Sequence, residues 1–276
     1  PVEDAASLSG VVTKFSAIKD GRRYVVKRHG RPGSFILKLP STRHPDLVDN
    51  ELTGYRLSGA LDLDCAEVAR VSRTEVDLPD EVEFPNVLAV KRFDRGPDGA
   101  RVHIEEMAQA MGYAPREKYG RGLGVELPRM LALLDRLSAS PAADVREVVR
   151  RLVAFVLMGN ADAHLKNWAL IYRDGRSPEL SPLYDPVCVT AWFGELAPHE
   201  YALNRKVDQT LRELDWEALR ALLDDARVPR PARLVQVAKD AVKQAKARWP
   251  AVLRDAPDNL RASIEARLAG GVAFAR

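Results

Sequence analysis

Cysteine is scarce: Cys65 and Cys188 are the only two in 276 residues, far apart and without metal-ligand spacing. That excludes a disulfide framework or a cysteine zinc site, and predicts two buried thiols in a reducing, cytoplasmic setting. Long apolar runs are also missing. No stretch reaches the roughly 20 residues that span a bilayer, and the start has no signal-like character, so no membrane role is expected. His29, His44, His103 and His199 do not cluster, and they read as surface or internally satisfied side chains. There is no Walker A motif, no three-glycine loop, no internal repeat and no low-complexity linker. A net charge of +3 with pI about 8.9 mildly favours an anionic ligand without indicating nucleic acid. The chain begins with Pro1 rather than Met, so it reads as a fragment or as a short form.

What remains is a chain long enough for one large core or two lobes, and its texture changes along its length. The first third reads as strands and turns. Arg23–Lys27 and Ser34–Pro40 are β-rich runs around a Gly/Pro turn, with further strands at Ala66–Ser72 and Asn86–Arg95. One helical pattern interrupts them after Asp49, with Leu52, Tyr55, Leu57 and Leu61 near helical spacing. The remainder reads as helices over Ile104–Met111, Val125–Leu137, Asp144–Met158, Leu211–Asp225, Ala232–Trp249 and Asp258–Leu268. Lys239, Lys243, Lys246 and Arg248 give the Ala232–Trp249 helix a basic face, read as solvated. The expected fold is α+β with two lobes: residues 1–95 mostly β, residues 96–276 helical, the boundary falling between 91 and 97.

The chemistry centres on Leu157-Met-Gly-Asn-Ala-Asp-Ala-His-Leu-Lys-Asn167. It places Asp162 and Asn167 five apart, just after an apolar run. Phosphoryl transfer uses such a pair: a carboxylate takes the proton of the attacking hydroxyl, and an amide oxygen a short loop away ligates Mg²⁺. Protein kinases space them as Asp-x-x-x-x-Asn. Two common residues at one spacing recur by chance, so the pattern needs companions. Ser7–Lys14, with its small residues and Gly10, could admit phosphates to backbone N–H groups or could be a hairpin turn. Lys38 sits in an apolar strand, either facing outward or reaching nucleotide phosphates. Glu51, 13 residues later, could pair with Lys38 or complement a helix dipole. After Asn167, a strand at Trp168–Tyr172, a turn and a second short strand at Leu180–Asp185 would bring Asp185 back as a second metal ligand. The competing reading is a turn aspartate before Pro186.

In order and spacing, SLSGVVTK, FILKLP, VDNE, LAVKRFDR, IEEMAQ, GNADAHLKN and LSPLYD resemble the HipA family of bacterial Ser/Thr kinases, the toxins of toxin–antitoxin modules. The likeness covers residues from about 7 to 190. It implies a protein-kinase-like (PI3/4-kinase-like) fold and an ATP- and Mg²⁺-dependent protein kinase that arrests translation by modifying an aminoacyl-tRNA synthetase. By the same resemblance, Ser9, Gly10, Val11, Val12, Thr13 and Lys14 form the phosphate loop, Lys38 is the ATP lysine and Glu51 its ion-pair partner. Lys91, Arg92 and Phe93 form the adenine-side hinge, through backbone groups. Asp162 is the catalytic base. His164, Lys166, Asn167, Tyr184 and Asp185 contact nucleotide, and Asn167 and Asp185 contact the metal. Ser7, Ser9 or both are autophosphorylated, where about two added negative charges would oppose ATP binding.

The implied partners are a helix-turn-helix antitoxin, which would be the only link to DNA, and a separate small protein standing in for HipA's N-terminal subdomain. The chain departs from the family at Val11-Val12, where Ala-Gln is usual, and at Glu105-Glu106, where Glu-Asp is usual. It has almost nothing before the phosphate loop, and so resembles the short HipT-like kinases or a HipA C-terminal region. Two alternatives are a small-molecule phosphotransferase of the aminoglycoside or choline kinase type and a nucleotide-binding pseudokinase. The mixed-to-basic C-terminal helices disfavour the first, and the full set of Lys38, Asp162, Asn167 and Asp185 disfavours the second.

Overall fold

In the computed structural model, residues 13–26, 33–40, 44–77, 84–96, 99–195 and 197–276 are described. β-branched and aromatic residues with alternating burial fold the first third into a six-stranded sheet. Its strands are β1 (Lys14–Asp20), β2 (Arg23–Val26), β3 (Phe35–Lys38), β4 (Val68–Ser72), β5 (Val76–Asp77) and β6 (Asn86–Lys91), in the order β4-β6-β3-β1-β2-β5. All pairings are antiparallel except β2 with β5. The sequence reading contained neither β1 nor β5. The register sets Lys14 directly opposite Lys38, so the two ammonium groups share one face. Like charges in such positions repel, which calls for an anion between them.

Helix α1 (Leu47–Gly59) is buried nearly all round. It packs against β4 and β6 on one side and, on the other, against α4 (Pro141–Met158) and α7 (Pro231–Leu253). The Trp249 indole of α7 donates to the Leu57 carbonyl at 2.9 Å and fixes that contact. One continuous apolar core therefore runs from the sheet into the helices. At its centre is the Leu152–Met158 run of α4, every residue buried, as expected for a helix apolar on all sides.

Three helix or strand assignments need correction. Ile104–Met111 is not one helix: His103–Glu106 is strand β7, and only Met107–Ala110 is helical (α2). β7 joins a second sheet with β8 (Ala169–Tyr172) and β9 (Glu179–Leu180), because its backbone groups find partners on β8. The second strand after Asn167 ends at Leu180 and does not extend to Asp185. The expected Leu211–Asp225 helix is two, α5 (Ala202–Glu213) and α6 (Trp216–Asp225). Asp215 separates them by accepting the Ala218 N–H at 2.8 Å as the N-cap of α6. The start of α5 escapes a hydrophobicity reading because its buried stripe is Asn204, Asp208 and Leu211. Helices α3 (Leu123–Leu137) and α8 (Asp258–Ala266) complete the set, near their expected bounds.

Candidate active site

The catalytic loop begins where α4 stops. Gly159 takes a left-handed conformation (φ 74°) as the C-terminal cap. A Cβ there would meet the Thr190 hydroxyl at 2.1 Å, so glycine is required twice over. Asp162 follows, 8 % exposed, and is held by neutral groups. The Tyr119 hydroxyl donates to Asp162 Oδ1. Asn204 Nδ2 reaches the Ala161 carbonyl at 3.1 Å and lies 3.5 Å from the same Oδ1. The Asp162 N–H donates to Asn160 Oδ1 at 3.2 Å, and Asn167 Nδ2 donates to the Asp162 carbonyl at 2.9 Å. Among the described residues nothing bonds to Asp162 Oδ2, so one carboxylate oxygen is fixed and the other is free. Asn167 spends its amide N–H on the loop, which leaves its Oδ1 as an oxygen ligand.

On the other side of the site, charges meet. Lys38 donates to both Glu51 and Asp185 and is buried with Glu51. Lys14 Nζ, half-exposed, lies 3.6 Å from Asp185 Oδ2, supplying the anion that the facing lysines require. Burial opposes the Lys38 charge, but Asp185 and Glu51 outweigh it and hold the ammonium above its usual range. Burial likewise disfavours ionised Asp185, and Lys38 and Lys14 more than compensate, holding it below the usual carboxylate range. Glu51 moves up because its burial dominates.

Helix α1 builds much of this arrangement from one face. Asn50 bonds both backbone groups of Cys188, at 2.8 and 3.1 Å, and Glu51 takes Lys38. Tyr55 accepts the Asp185 N–H at 3.2 Å, supporting a left-handed Asp185 (φ 55°). A side chain at Gly54 would collide with the Pro186 carbonyl at 2.2 Å, so this glycine lets the Asp185 loop seat on the helix. A second tie joins the two loops: the Tyr184 hydroxyl donates to the Lys166 carbonyl at 2.8 Å.

His164 is 9 % exposed, and its ring meets Tyr119 edge-on with centroids 5.3 Å apart. Burial lowers its pKa to about 4, although the charges of Asp162 and Asp185 pull it up and that of Lys118 pulls it down. Of the expected hinge residues, Lys91 bonds Glu67 at 2.7 Å and Arg92 forks onto Asp94 at 2.7 and 2.9 Å. Their N–H groups are already donated to Glu67 and Ser34. Phe93 packs on Tyr184 with ring centroids 5.6 Å apart. Thr13 sits beside β3, its carbonyl accepting from the Leu39 N–H at 3.1 Å. Ser7, Ser9, Gly10, Val11 and Val12 lie outside the described residues. Sequence reasoning missed Asn50, Tyr55, Tyr119 and Asn204. Asn50 lies within the VDNE word, which assigns it no role, and the other three carry no motif; their only trace is being polar or glycine-adjacent in segments that otherwise read as helix or loop.

The sheet-rich and helical parts with this cleft define an α+β, two-lobed protein-kinase-like fold with a mostly β N-lobe and a helical C-lobe. A solved structure of Shewanella oneidensis MR-1 HipA with HipB and operator DNA matches all of this chain and 66% of that one, at TM-score 0.72 and 22% identity. The Helicobacter pylori proinflammatory kinase CtkA matches with TM-score 0.56 and 12% identity, covering 96% of this chain and 94% of that one.

The sequence profile of the HipA-like C-terminal domain matches residues 6–249, and the chain belongs to that family. "Putative kinase Y4dM" of Sinorhizobium fredii is 36% identical over 91% of this chain and 61% of its own length. "Serine/threonine-protein kinase toxin HipA" of Shewanella oneidensis is 29% identical over 66% of this chain and 43% of its own length. The chain thus spans about three-fifths of the first of these relatives. No helix among the described residues is long and apolar enough to cross a membrane.

Proposed function

We propose that this chain is an ATP- and Mg²⁺-dependent serine/threonine protein kinase, acting as the toxin of a HipA-type toxin–antitoxin module. The carrying observation is the asymmetry of Asp162: Oδ1 is fixed by Tyr119 and Asn204, while Oδ2 has no partner among the described residues. A carboxylate held at one oxygen can orient an acceptor hydroxyl and take its proton at the other. Lys38 and Lys14 set positive charge on the face where Asp185 returns. Asp185 and Asn167 Oδ1, which has no partner among the described residues, are the hard oxygen donors that suit Mg²⁺, which needs few protein ligands when phosphates supply the rest. Mg²⁺ and ATP would supply the transferable phosphoryl group and neutralise its developing charge. Asp185 would then share its charge between Lys38 and the cation, and Glu51 would keep Lys38 in place. The tilted Phe93–Tyr184 ring pair offers an apolar contact beside the hinge. With the Lys91 and Arg92 N–H groups committed to the sheet, hinge contacts to a base fall to the remaining backbone groups.

The N-lobe is residues 1–95 and the C-lobe 96–276. The partners in this reading are an aminoacyl-tRNA synthetase as substrate, a HipB-type antitoxin that alone meets DNA, and a small N-subdomain-like protein. Self-modification falls on Ser7, Ser9 or both. Intact mass after incubation with Mg²⁺/ATP tests the reading. Wild type gains one or two phosphates and Asp162→Asn gains none, at equal melting temperature. A phosphate gain in Asp162→Asn would sink it.

A further inference from the structure

We propose that a pocket against the catalytic loop receives one apolar side chain of the protein substrate, beside the phosphate-accepting hydroxyl and flanked by acidic residues. This rests on the protein-kinase reading above. The pocket is a cavity of about 420 Å³, within the size range of ligand clefts. Its walls include Leu127, Met130, Phe155 and Trp168. Asn160, Ala163, His164 and Leu165 also line it, so it borders the catalytic loop on both sides of Asp162. Whatever fills it therefore sits next to an acceptor placed on Asp162.

The chemistry of the walls selects the occupant. The single carboxylate lining the cavity among the described residues, Glu126, is already taken by the Tyr113 hydroxyl, the Arg121 N–H at 2.9 Å and Arg129 at 3.0 Å. A polycationic small molecule would find no free anion there. The mouth is apolar and basic: Leu203 is 48 % exposed, and Arg121 and Lys206 are exposed beside it. An apolar wall inside a cationic rim complements a leucine- or phenylalanine-sized side chain with glutamate or aspartate neighbours.

Fluorescence polarisation of labelled peptides tests this without chemistry. The probes are hexapeptides of glutamate around one serine, with a single leucine moved through the other positions, and alanine controls. One leucine placement should bind about tenfold tighter than its alanine control, a typical margin for one side chain in an apolar pocket. Leu203→Glu should erase that preference. Arg121→Glu with Lys206→Glu should weaken every acidic peptide and favour lysine-flanked ones. Leu203 is half-exposed; Leu203→Ser serves if the glutamate variant melts early. The proposal is overturned if no leucine placement exceeds alanine, if the Leu203 variants keep the preference, or if native mass shows a copurified apolar small molecule in the cavity. Phosphoryl transfer is scored separately by intact mass, so a wild type that gains phosphate but prefers no leucine placement would refute the pocket and spare the kinase.

Discussion

The two carboxylates of the cleft are held in opposite ways. Asp185 is fixed by charge, between the buried ammonium of Lys38 and the half-exposed one of Lys14. The Asp162 carboxylate is fixed by the neutral Tyr119 hydroxyl and Asn204 amide, and its backbone by Asn160 and Asn167. Cations lower a carboxylate's affinity for protons, which suits a metal ligand that must stay ionised. Neutral donors orient a carboxylate without neutralising its charge, which suits a group that must accept a proton. The same side-chain chemistry thus serves two roles through the company each carboxylate keeps.

The largest test of that contrast is Lys38→Met. It would leave Glu51 as a buried carboxylate without its cation and the partly exposed Asp185 with Lys14 alone, and should cost about 3–5 kcal/mol in urea unfolding. Adding Glu51→Gln should recover part of the loss. Strict additivity in that double-mutant cycle would show that the charged side is not a unit.

A second effect separates His164 from the carboxylates. Its folded pKa, about 4, lies below its unfolded value near 6.5. The unfolded chain therefore takes up the proton first as pH falls. Stability from this group is complete above about pH 6.5 and declines towards pH 4, by up to about 3 kcal/mol. Asp185 contributes in the same direction but lower, because its folded pKa is depressed: its stabilisation is lost below the ordinary carboxylate range. Denaturant melts of His164→Gln across pH 4–7 should be flatter than wild type, and an unchanged slope would refute the assignment.

On the neutral side, Asn204→Ala and Tyr119→Phe should each lose about 1–2 kcal/mol of stability. Each should lower the phosphoryl-transfer rate by about tenfold or more with the nucleotide KM unchanged. A matching rise in KM would mean that these residues shape nucleotide binding instead. Lys14→Ala is the smallest perturbation: an exposed pair at 3.6 Å should change stability by less than about 1 kcal/mol, while raising the KM for ATP.

Sequence spacing alone placed Lys38 13 residues before Glu51 and Asp162 five before Asn167, and both pairs are in contact in the fold. Local patterning also gave the apolar α4, because a run apolar on every face has few places to go except the core. Where a segment's partners are distant, local reading failed. β7 reads as helix until β8 offers its backbone a ladder, and α5 hides because its inward face is polar.

The sequence by itself determined the order of the chemical groups and most element types, since helix and strand periodicity are local properties. Only the tertiary structure decided that Lys14 would face Lys38 across a strand pair and that Asp185 would lie between them. It also decided that Tyr119 and Asn204, 43 and 42 residues from Asp162, would bond the same oxygen. Those contacts depend on strand register and helix packing, which bring together groups that no short window of sequence contains.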